Sequence, residues 1–581
     1  MDPIKVDFTG NGAKSNSVII PPSKSGLKTV INILGTIVAA VVAYYFYLPA
    51  FNFKAIEMYI YFGIILAAYC VMTFITSGAV AAPEYSPYAR KQARIPMIIG
   101  GVILLVVAIG FLVSSVFFRA KSYHNIIKVE NATFGEDIAE ADFKSVPLLD
   151  QDSAAMLADK ALSNLVDDNL VSQFTVYPSY TQINLQKKPV RIATLKYSNI
   201  IKWFTNRKAG LPGYLVIDMT TQEVELKKVS GGIIYSNADH FNHLLKRQLR
   251  FQYPTALLGE AVFEVDEEGN AYWVCPILDK TIGLFGGTDV KGVVLVNPTT
   301  GECSDYTVAQ LHDDASLQWI DRVYASDLLV EQYNYFGKYG GGFWNSILGQ
   351  KNVMITTSGY NYIALNDDVY MYTGITSVNA SDNSITGFTL INQRTKEAKY
   401  YRVSGATENA AQSAAEGKVQ QYEYTATFPL LLNIGDEPTY FMALKDNTQI
   451  VQQYAMVNVK QFTTLLTTGT SIDSCLESYT ALLKTAGINT NIDPNAVVTP
   501  TPDQPDVTVT AKTVSGAVTA VKTAVIGGNS MYYLKLDGDA YYAVSAAKFE
   551  DVVIAAVGSQ VEITFNETDA KIIPATSFKL K

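Results

Sequence analysis

The sequence predicts an α+β protein with three N-terminal transmembrane helices, tandem α+β repeats with antiparallel sheets, and a small C-terminal β-barrel. Three observations lead to this prediction. Three long apolar intervals without charge lie in the first 119 residues, one pattern occurs three times in the middle of the chain, and short alternating runs follow a Pro-rich stretch near the end.

Composition places part of the chain in a membrane and argues against nucleic acid as a partner. The 581 residues are 48% hydrophobic, and the mean hydropathy of +0.12 is high for a purely soluble protein. The net charge is −9, and no cluster of Lys and Arg is present to displace the counterions of a nucleic acid.

Three transmembrane helices are predicted within residues 29–118, behind a cytoplasmic arm at 1–28. Each apolar interval exceeds the roughly 20 residues that cross a bilayer, and a signal peptide is the alternative for the first only. Because the spans lack Asp, Glu, Lys, Arg and His, they indicate an anchor or a partner-helix surface rather than a transporter. The intervals lie between Lys28 and Lys54, between Glu57 and Glu84, and between Arg94 and Arg119.

The basic residues that flank the spans predict a multi-pass protein of the cell membrane with a cytoplasmic N-terminus. The arm and the second loop are rich in Lys and Arg, whereas the first loop has only Lys54. By the positive-inside rule, everything after residue 119 is then extracytoplasmic. The basic residues of the arm and the second loop are Lys5, Lys14, Lys24, Lys28, Arg90, Lys91 and Arg94.

The repeated pattern predicts a β-hairpin. Its copies share Gly, an apolar run, Asp or Asn five positions after the Gly, then Thr, Glu and Val at fixed offsets, and they run over 213–229, 292–308 and 387–403. Asp218, Asn297 and Asn392 would each open a polar turn between two strands, with Glu223, Glu302 and Glu397 on the outgoing strand.

These hairpins organise a repeat region at 151–488, after a polar stem at 119–150. A helix at 153–165 opens the first unit, and a helix followed by two hairpins recurs every 80 to 95 residues. Three units are predicted in full and a fourth in part. Each would form a small antiparallel sheet covered by helices on one face.

The turn of the form Asp/Asn-x-Thr-x-Glu, together with the preceding helix and strand pair, resembles the PepSY family. The residues that carry the resemblance are Val216-Ile-Asp218 to Glu223, Val296-Asn297 to Glu302 and Ile391-Asn392 to Glu397. Members of this family occur in tandem in bacterial membrane-anchored proteins of the cell envelope. The resemblance implies regulation of an extracytoplasmic enzyme such as a protease or a cell-wall hydrolase.

A Pro-rich linker at 489–506 is predicted to separate a last domain at 507–581. The linker lacks large apolar residues, and five or six short alternating runs follow it. Such strands predict a small β-barrel of the OB-like or SH3-like kind. No basic and aromatic face indicates nucleic acid there.

Few residues suggest chemistry, so no catalytic residue, no cofactor and no metal site is predicted. His240 and His243 lie near each other on a predicted helix, but no further ligand completes a metal site. The acidic turns at 266–269 and 366–368 could bind calcium, but solvent-exposed hairpin turns explain their composition with fewer assumptions. Cys275 and Cys303 could form a disulfide, although isolated thiols are favoured.

One aromatic segment is a possible ligand or partner surface. Six aromatic residues lie among glycines over 333–345. This composition can form a flexible loop that presents flat rings to a glycan or a peptide, and an aromatic hinge buried between two units is the alternative. The residues of this possible surface are Tyr333, Tyr335, Tyr339, Phe343 and Trp344.

The sequence therefore predicts a non-enzymatic, membrane-anchored, extracytoplasmic binding or regulatory protein of the cell envelope. Its partner would be a protein or a cell-wall polymer. Two alternatives remain open, namely a hydrolase of envelope glycan or peptide with unidentified carboxylates, and an accessory subunit of a membrane complex.

Overall fold

The computed structural model describes most of the chain as two compact units, 1–497 and 498–581. The predicted linker at 489–506 and the first twenty residues of the predicted arm lie outside the described residues. The described residues are 21–141, 143, 146–147, 149–165, 172–365, 367–378, 384–488, 511–526, 529–538, 540–546, 549–566 and 572–581.

Three N-terminal helices are long and apolar enough to cross a membrane, as predicted. Their large apolar side chains are widely exposed, which suits a lipid environment. One polar contact joins the first two helices, where the buried Asn32 side chain donates to Thr73 and accepts from Thr76. The helices are α1 (Ser25–Tyr47), α2 (Ile56–Ser77) and α3 (Ser86–Ser114), the last preceded by a 3-10 turn at Pro83–Tyr85.

The predicted polar stem contributes secondary structure and buried residues to the repeat region. Ile127 is buried, and a short strand that follows it pairs in parallel with the sheet of the third repeat. The sequence does not predict this strand, because Glu130 and Asn131 interrupt its apolar pattern and its pairing partner is distant in the sequence. The elements are α4 (Val116–His124), β1 (Val129–Ala132) and α5 (Phe134–Asp137).

The first repeat is an antiparallel meander of four strands in the order β2-β3-β4-β5. Apolar residues of its helix α6, such as Ala154 and Ala158, are buried in the same core as the strands. The elements are α6 (Gln151–Leu165), β2 (Phe174–Leu185), β3 (Lys188–Tyr197), α7 (Ile200–Asn206), β4 (Leu211–Asp218) and β5 (Val224–Ile233).

The second repeat has the same two hairpins, with strand order β10-β9-β8 and with β6 and β7 both paired to β8. The predicted helix around 237–250 is shorter and begins later, because a 3-10 turn at Phe241–His243 precedes it. The elements are α8 (Leu245–Gln252), β6 (Leu257–Leu258), β7 (Val262–Val265), β8 (Ala271–Ile282), β9 (Gly286–Val296) and β10 (Cys303–Thr307).

The third repeat repeats this pattern, and β1 extends its sheet beside β16. The aromatic segment that was predicted as a loop is mostly helical, because its apolar residues recur at helical spacing. The elements are α9 (Val308–Asp313), α10 (Ser326–Tyr339), α11 (Gly342–Trp344), β11 (Met354–Thr356), β12 (Asn361–Leu365), β13 (Asp368–Ser377), β14 (Ser384–Ile385), β15 (Gly387–Asn392) and β16 (Ala398–Tyr401).

The fourth repeat, predicted only in part, also has two hairpins in a sheet of order β18-β20-β21-β22, with β19 paired to β20. A two-stranded pair of β14 and β17 joins it to the third repeat. The elements are β17 (Gly405–Ala406), α12 (Glu408–Lys418), β18 (Thr425–Ala426), β19 (Leu430–Ile434), β20 (Glu437–Lys445), β21 (Val451–Asn458), β22 (Leu466–Gly469) and α13 (Ile472–Thr485).

The Asp or Asn of the repeated turn makes the predicted hydrogen bonds in all three copies, whereas the prediction that the Glu lies on the outgoing strand is wrong by one residue. Each side-chain oxygen accepts from the backbone N–H groups two and three residues on, and each Asp or Asn N–H donates to the carbonyl of the Glu five positions later at 2.9 Å. The Glu residues directly precede the outgoing strands. The side-chain distances are 2.8 and 2.9 Å at Asp218, 2.9 and 3.0 Å at Asn297, and 2.8 and 3.0 Å at Asn392.

The fourth repeat contains the same turn in a longer form. The Asn458 side chain accepts from the N–H groups of Lys460 and Gln461 at 3.0 and 2.9 Å, and its own N–H donates to the carbonyl of Leu465. The loop thus closes at the seventh position instead of the fifth, so the motif has no gap-free match in the sequence.

We expect Asn392→Ala to cost more stability than Asn297→Ala. Both lose turn hydrogen bonds, which are worth about 1 kcal/mol. The buried Asn392 also donates to Asp368 at 2.7 Å, so its loss should cost about 2–3 kcal/mol. Thermal unfolding of the purified variants measures the difference. Unchanged stability with lost partner binding would contradict this structural role.

The C-terminal unit contains a six-stranded sheet of order β23-β27-β28-β26-β25-β24 around its own apolar core. Among the described residues no strand pair joins β23 to β24, so the small β-barrel stays a prediction. The strands are β23 (Ala511–Ala517), β24 (Ala520–Ile526), β25 (Asn529–Lys535), β26 (Tyr541–Ser545), β27 (Gln560–Asn566) and β28 (Ile572–Leu580).

The second repeat contacts the ends of the spanning helices. Arg247 donates to the carbonyl of Tyr45, and Arg250 donates to that of Leu48, at 3.0 and 3.1 Å. Cations are favoured at the carbonyl end of a helix, here α1. At α3, the Ser114 hydroxyl accepts from the N–H groups of Leu284 and Phe285 at 2.8 and 3.0 Å.

The loop between α1 and α2 also lies against the second repeat. Phe51 N–H donates to the Pro254 carbonyl at 2.8 Å, and Lys54 pairs with Asp279 at 2.8 Å. This loop and the C-terminal end of α3 are therefore at the same end of the helices as the repeats.

Candidate functional site

The structure divides the predicted aromatic surface into buried and exposed parts. Tyr333 is 1% exposed and belongs to the core, so it is not available to a ligand. Tyr335 and Tyr339 pack on Tyr123, with ring centroids 4.7 and 6.5 Å away. Phe343 and Trp344 instead pack on the ring of Phe117. No described contact assigns a ligand to these residues.

A cleft of about 490 Å³ opens elsewhere, between the first, third and fourth repeats. Arg191 of β3 forms part of its wall, together with the rings of Tyr360, Tyr362 and Phe428 and the ammonium group of Lys445. Each of these side chains comes from a strand or from a loop next to a strand. The repeat packing therefore holds a cation beside several aromatic rings.

Arg191 is the unusual residue of this cleft. It lies on β3 between the buried Val190 and Ile192, and it is itself only 6% exposed. Within the described part of the chain its guanidinium group has no hydrogen-bond or ion-pair partner, and Nε is fully buried. Burial lowers the pKa of this group from its ordinary value, because a buried charge loses its hydration.

Lys445 and Asp150, which also line the cleft, form an ion pair with each other. The Lys445 ammonium group pairs with Oδ2 of Asp150, and Oδ1 accepts from the N–H of Ser153 at 2.9 Å near the start of α6. Burial alone would raise the pKa of Asp150, but the hydrogen bonds from Lys445 and Ser153 outweigh it and lower that pKa. Asp150 is therefore not available to pair with Arg191.

Gln182 is a second buried polar residue without a described hydrogen-bond partner, and it lies beside Arg191. It lies directly opposite Arg191 in the β2–β3 pair, so both side chains are on the same face of the sheet. Gln182 is buried, and neither its amide oxygen nor its amide nitrogen has a described partner. Buried polar groups are nearly always hydrogen-bonded in folded proteins, so these two neighbours without described partners make this place beside the cleft a candidate binding site.

A second cavity of about 410 Å³ lies between the first three repeats and is rich in carboxylates. Arg394 binds both oxygens of Asp368 at 2.7 and 2.8 Å. Asn184 binds Asp321 through its backbone N–H and Asp367 through its side chain, at 2.7 and 2.8 Å. Asp321 and Asp367 therefore join the third repeat to the first, whereas the Arg394–Asp368 pair lies within the third repeat.

Two fully buried acids at this junction have raised pKa values. Burial raises the pKa of Glu264 to about 7, although the backbone N–H groups of Asp321 and Arg322 donate to its two oxygens and oppose the shift. Burial and the nearby Glu264 also raise the pKa of Asp321. One acid of the pair therefore holds its proton more readily than a solvated carboxyl group does.

The remaining histidines, cysteines and acidic turns considered in the sequence analysis form no site among the described residues. His240 and His243 both pack near the Trp203 ring, with centroids 5.6 and 6.1 Å away, and the described residues contain no group of three metal-binding side chains. Cys275 and Cys303 are free thiols. Asp266 accepts from the N–H groups of its own turn. Asn366 of the other acidic turn lies outside the described residues.

Sequence reasoning missed Arg191, although one signal was present. The residue interrupts an apolar run, Val190-Arg-Ile-Ala-Thr-Leu195, in a strand that pairs on both sides. A charged side chain in such a strand is either paired or functional. Only the structure shows that it has no described partner.

Comparison with known proteins does not assign the chain to a family. No protein-family model and no curated protein matches the sequence. The resemblance to PepSY domains rests on the repeated turn and remains a proposal.

Proposed function

We propose that this protein is a membrane-anchored extracytoplasmic binding protein that holds a carboxylate-bearing peptide group in the cleft at Arg191. The peptide belongs to a partner protein or to a peptide-containing polymer of the cell envelope. The observation that carries the proposal is the buried guanidinium group without a described partner at the wall of a cleft.

The charges of the cleft favour a carboxylate over a phosphate. Lys445 and Asp150 neutralise each other, which leaves Arg191 as the unpaired cation and the exposed Asp152 as an acid at the rim. Arg binds a carboxylate through two parallel hydrogen bonds. Asp152 suits the N–H or amine groups of a peptide and disfavours a second negative charge.

The rings of the cleft supply the apolar part of the site. Tyr360 and Tyr362 pack edge to face with centroids 5.8 Å apart, and Phe428 lies on the same wall. Aromatic side chains next to a few polar groups are typical of sites for peptides and small ligands.

The extracytoplasmic location rests on the basic residues of the arm and the second loop. The same rule assigns the first loop to the extracytoplasmic side, and Phe51 and Lys54 of this loop contact the second repeat, so the repeats share the side assigned to that loop. With three spans, the N-terminal arm and the repeats are then on opposite sides of the bilayer. In this location, the resemblance of the repeats to PepSY domains suggests that they regulate an envelope protease or a cell-wall hydrolase. As an accessory subunit, the protein would use its spans to bind a membrane complex.

One observation favours the alternative of a hydrolase. Asp321 is a buried acid with a raised pKa at the wall of the second cavity, as a general acid would be. However, the backbone N–H of Asp321 donates to Glu264, and one of its carboxylate oxygens accepts from the backbone N–H of Asn184. These hydrogen bonds support a structural role. If the protein released product from a cell-wall peptide, and if Asp321→Asn abolished this release, the hydrolase would be favoured.

The proposed binding can be tested with trialanine and its C-terminal amide, a pair that differs only in the carboxylate charge. We expect the full-length protein in lipid nanodiscs to bind trialanine, and to bind the amide at least about tenfold more weakly, because a charge-assisted hydrogen bond is lost. Titration calorimetry gives both affinities, and inorganic phosphate serves as a third ligand.

Two variants control this titration. Arg191→Met should bind trialanine and the amide equally weakly, while Arg402→Gln, which changes an exposed arginine, should keep the full preference. Equal affinity of the unmodified protein for both peptides, or tighter binding of phosphate, would overturn the proposal.

A further inference from the structure

Two exposed apolar patches lie beside the ends of two spanning helices. The α3 patch contains the exposed Phe117, Phe118, Trp344, Ile347 and Leu348 and the half-buried Phe343, and the α1 patch contains Ile200, Ile201, Phe204, Phe241 and Phe251. Large side chains of this kind seldom cluster on a surface that faces water.

The α3 patch begins directly after the end of α3. Ser115 is extended between α3 and α4, and Phe117 and Phe118 lie in the first turn of α4, before Arg119. The rings of Phe343 and Trp344 pack edge to face on Phe117, with centroids 5.0 and 5.8 Å away. Trp344 remains 62% exposed and Leu348 76% exposed, so this segment presents apolar side chains at the level where α3 leaves the bilayer.

The α1 patch has the same relation to α1. The Tyr45 hydroxyl donates to the Asn242 side chain at 3.2 Å, and Phe251 stacks on Tyr44 with centroids 6.1 Å apart. Phe241, next to Asn242, lies 6.5 Å from Phe204. Phe251 therefore contacts the last turn of α1, and Phe241 and Phe204 lie next to it.

We infer that both patches insert into the headgroup and upper acyl region of the same bilayer that holds the helices. Trp and Phe are favoured at this depth, and apolar faces flanked by basic residues lie in the interface plane. Basic residues flank both patches, namely Arg119, Lys121, Lys202, Arg207, Lys208 and Lys351. The second repeat contacts both helices, so insertion at two points holds the repeat region against the bilayer surface.

This inference is independent of the cleft, and tryptophan fluorescence tests it on the full-length protein. The chain has four Trp, of which Trp203 and Trp273 are buried. We expect vesicles whose lipids carry bromine atoms high on the acyl chain to quench part of the emission. Trp344→Phe should remove that quenched part, while Trp319→Phe should leave it unchanged.

A gain of signal tests the α1 patch. Phe204→Trp in the Trp344→Phe protein should restore quenching, whereas Tyr422→Trp, at an exposed aromatic residue of the fourth repeat, should not. Quenching that survives Trp344→Phe in full would overturn the inference for the α3 patch. Equal quenching at positions 204 and 422 would overturn it for the α1 patch.

Discussion

Arg191→Met is expected to stabilise the protein by about 1–3 kcal/mol while it removes trialanine binding. Arg191 is 6% exposed, its Nε is fully buried, and its guanidinium group has no hydrogen-bond or ion-pair partner among the described residues, so its burial costs free energy that no ion pair offsets. Methionine fills a similar volume without a charge. Thermal unfolding of the full-length protein measures the gain, and calorimetry measures the loss of binding.

Arg394→Met is the matched control, and it should destabilise the protein where Arg191→Met stabilises it. Arg394 binds both oxygens of Asp368, with side chains 15% and 12% exposed, so its removal leaves a carboxylate without its cation. We expect a loss of about 2 kcal/mol with trialanine binding retained. If Arg191→Met were as destabilising as Arg394→Met, Arg191 would be a structural residue and the proposed site would be wrong.

Stability is expected to fall as the pH rises from about 4.5 to about 7, by about 3 kcal/mol from Glu264 alone. In this window the unfolded carboxyl group has lost its proton, whereas the folded one retains it. The folded state thus binds more protons, and deprotonation favours unfolding. Above the folded pKa the full penalty is present, and the slope due to Glu264 ends.

The double variant Glu264→Gln, Asp321→Asn removes both titrating groups of this buried pair and should flatten the slope. Glu267→Gln changes an exposed carboxylate of the same cavity and should leave the slope as it is. Unfolding midpoints measured across this pH range give the slopes. A double variant with the slope of the unmodified protein would show that the pair does not govern the pH dependence.

The parts of the fold that local pattern determines were predictable from the sequence. The apolar intervals predicted the spanning helices, and Asp218, Asn297 and Asn392 predicted equivalent turns, because a turn depends on a few adjacent residues. The equivalent Asn458 was missed because its turn is longer. The stem strand Val129–Ala132 was missed because its pairing with residues 398–401 is set by tertiary structure.

The site could not be predicted because it belongs to no single repeat. Arg191, Tyr360 and Lys445 come from three repeats, and no spacing in the sequence joins them. The aromatic segment was visible by composition, but composition does not distinguish the buried Tyr333 from the exposed Trp344. That difference depends on which face of each helix meets the core.

The account rests on Arg191 as the group that binds the ligand carboxylate, and a crystal structure with trialanine tests this directly. We expect the peptide carboxylate in the cleft, with its oxygens about 2.7–3.2 Å from the Arg191 nitrogens and its methyl groups near Tyr360 and Phe428. A peptide bound elsewhere, or bound in the cleft with its carboxylate away from Arg191, would contradict the account.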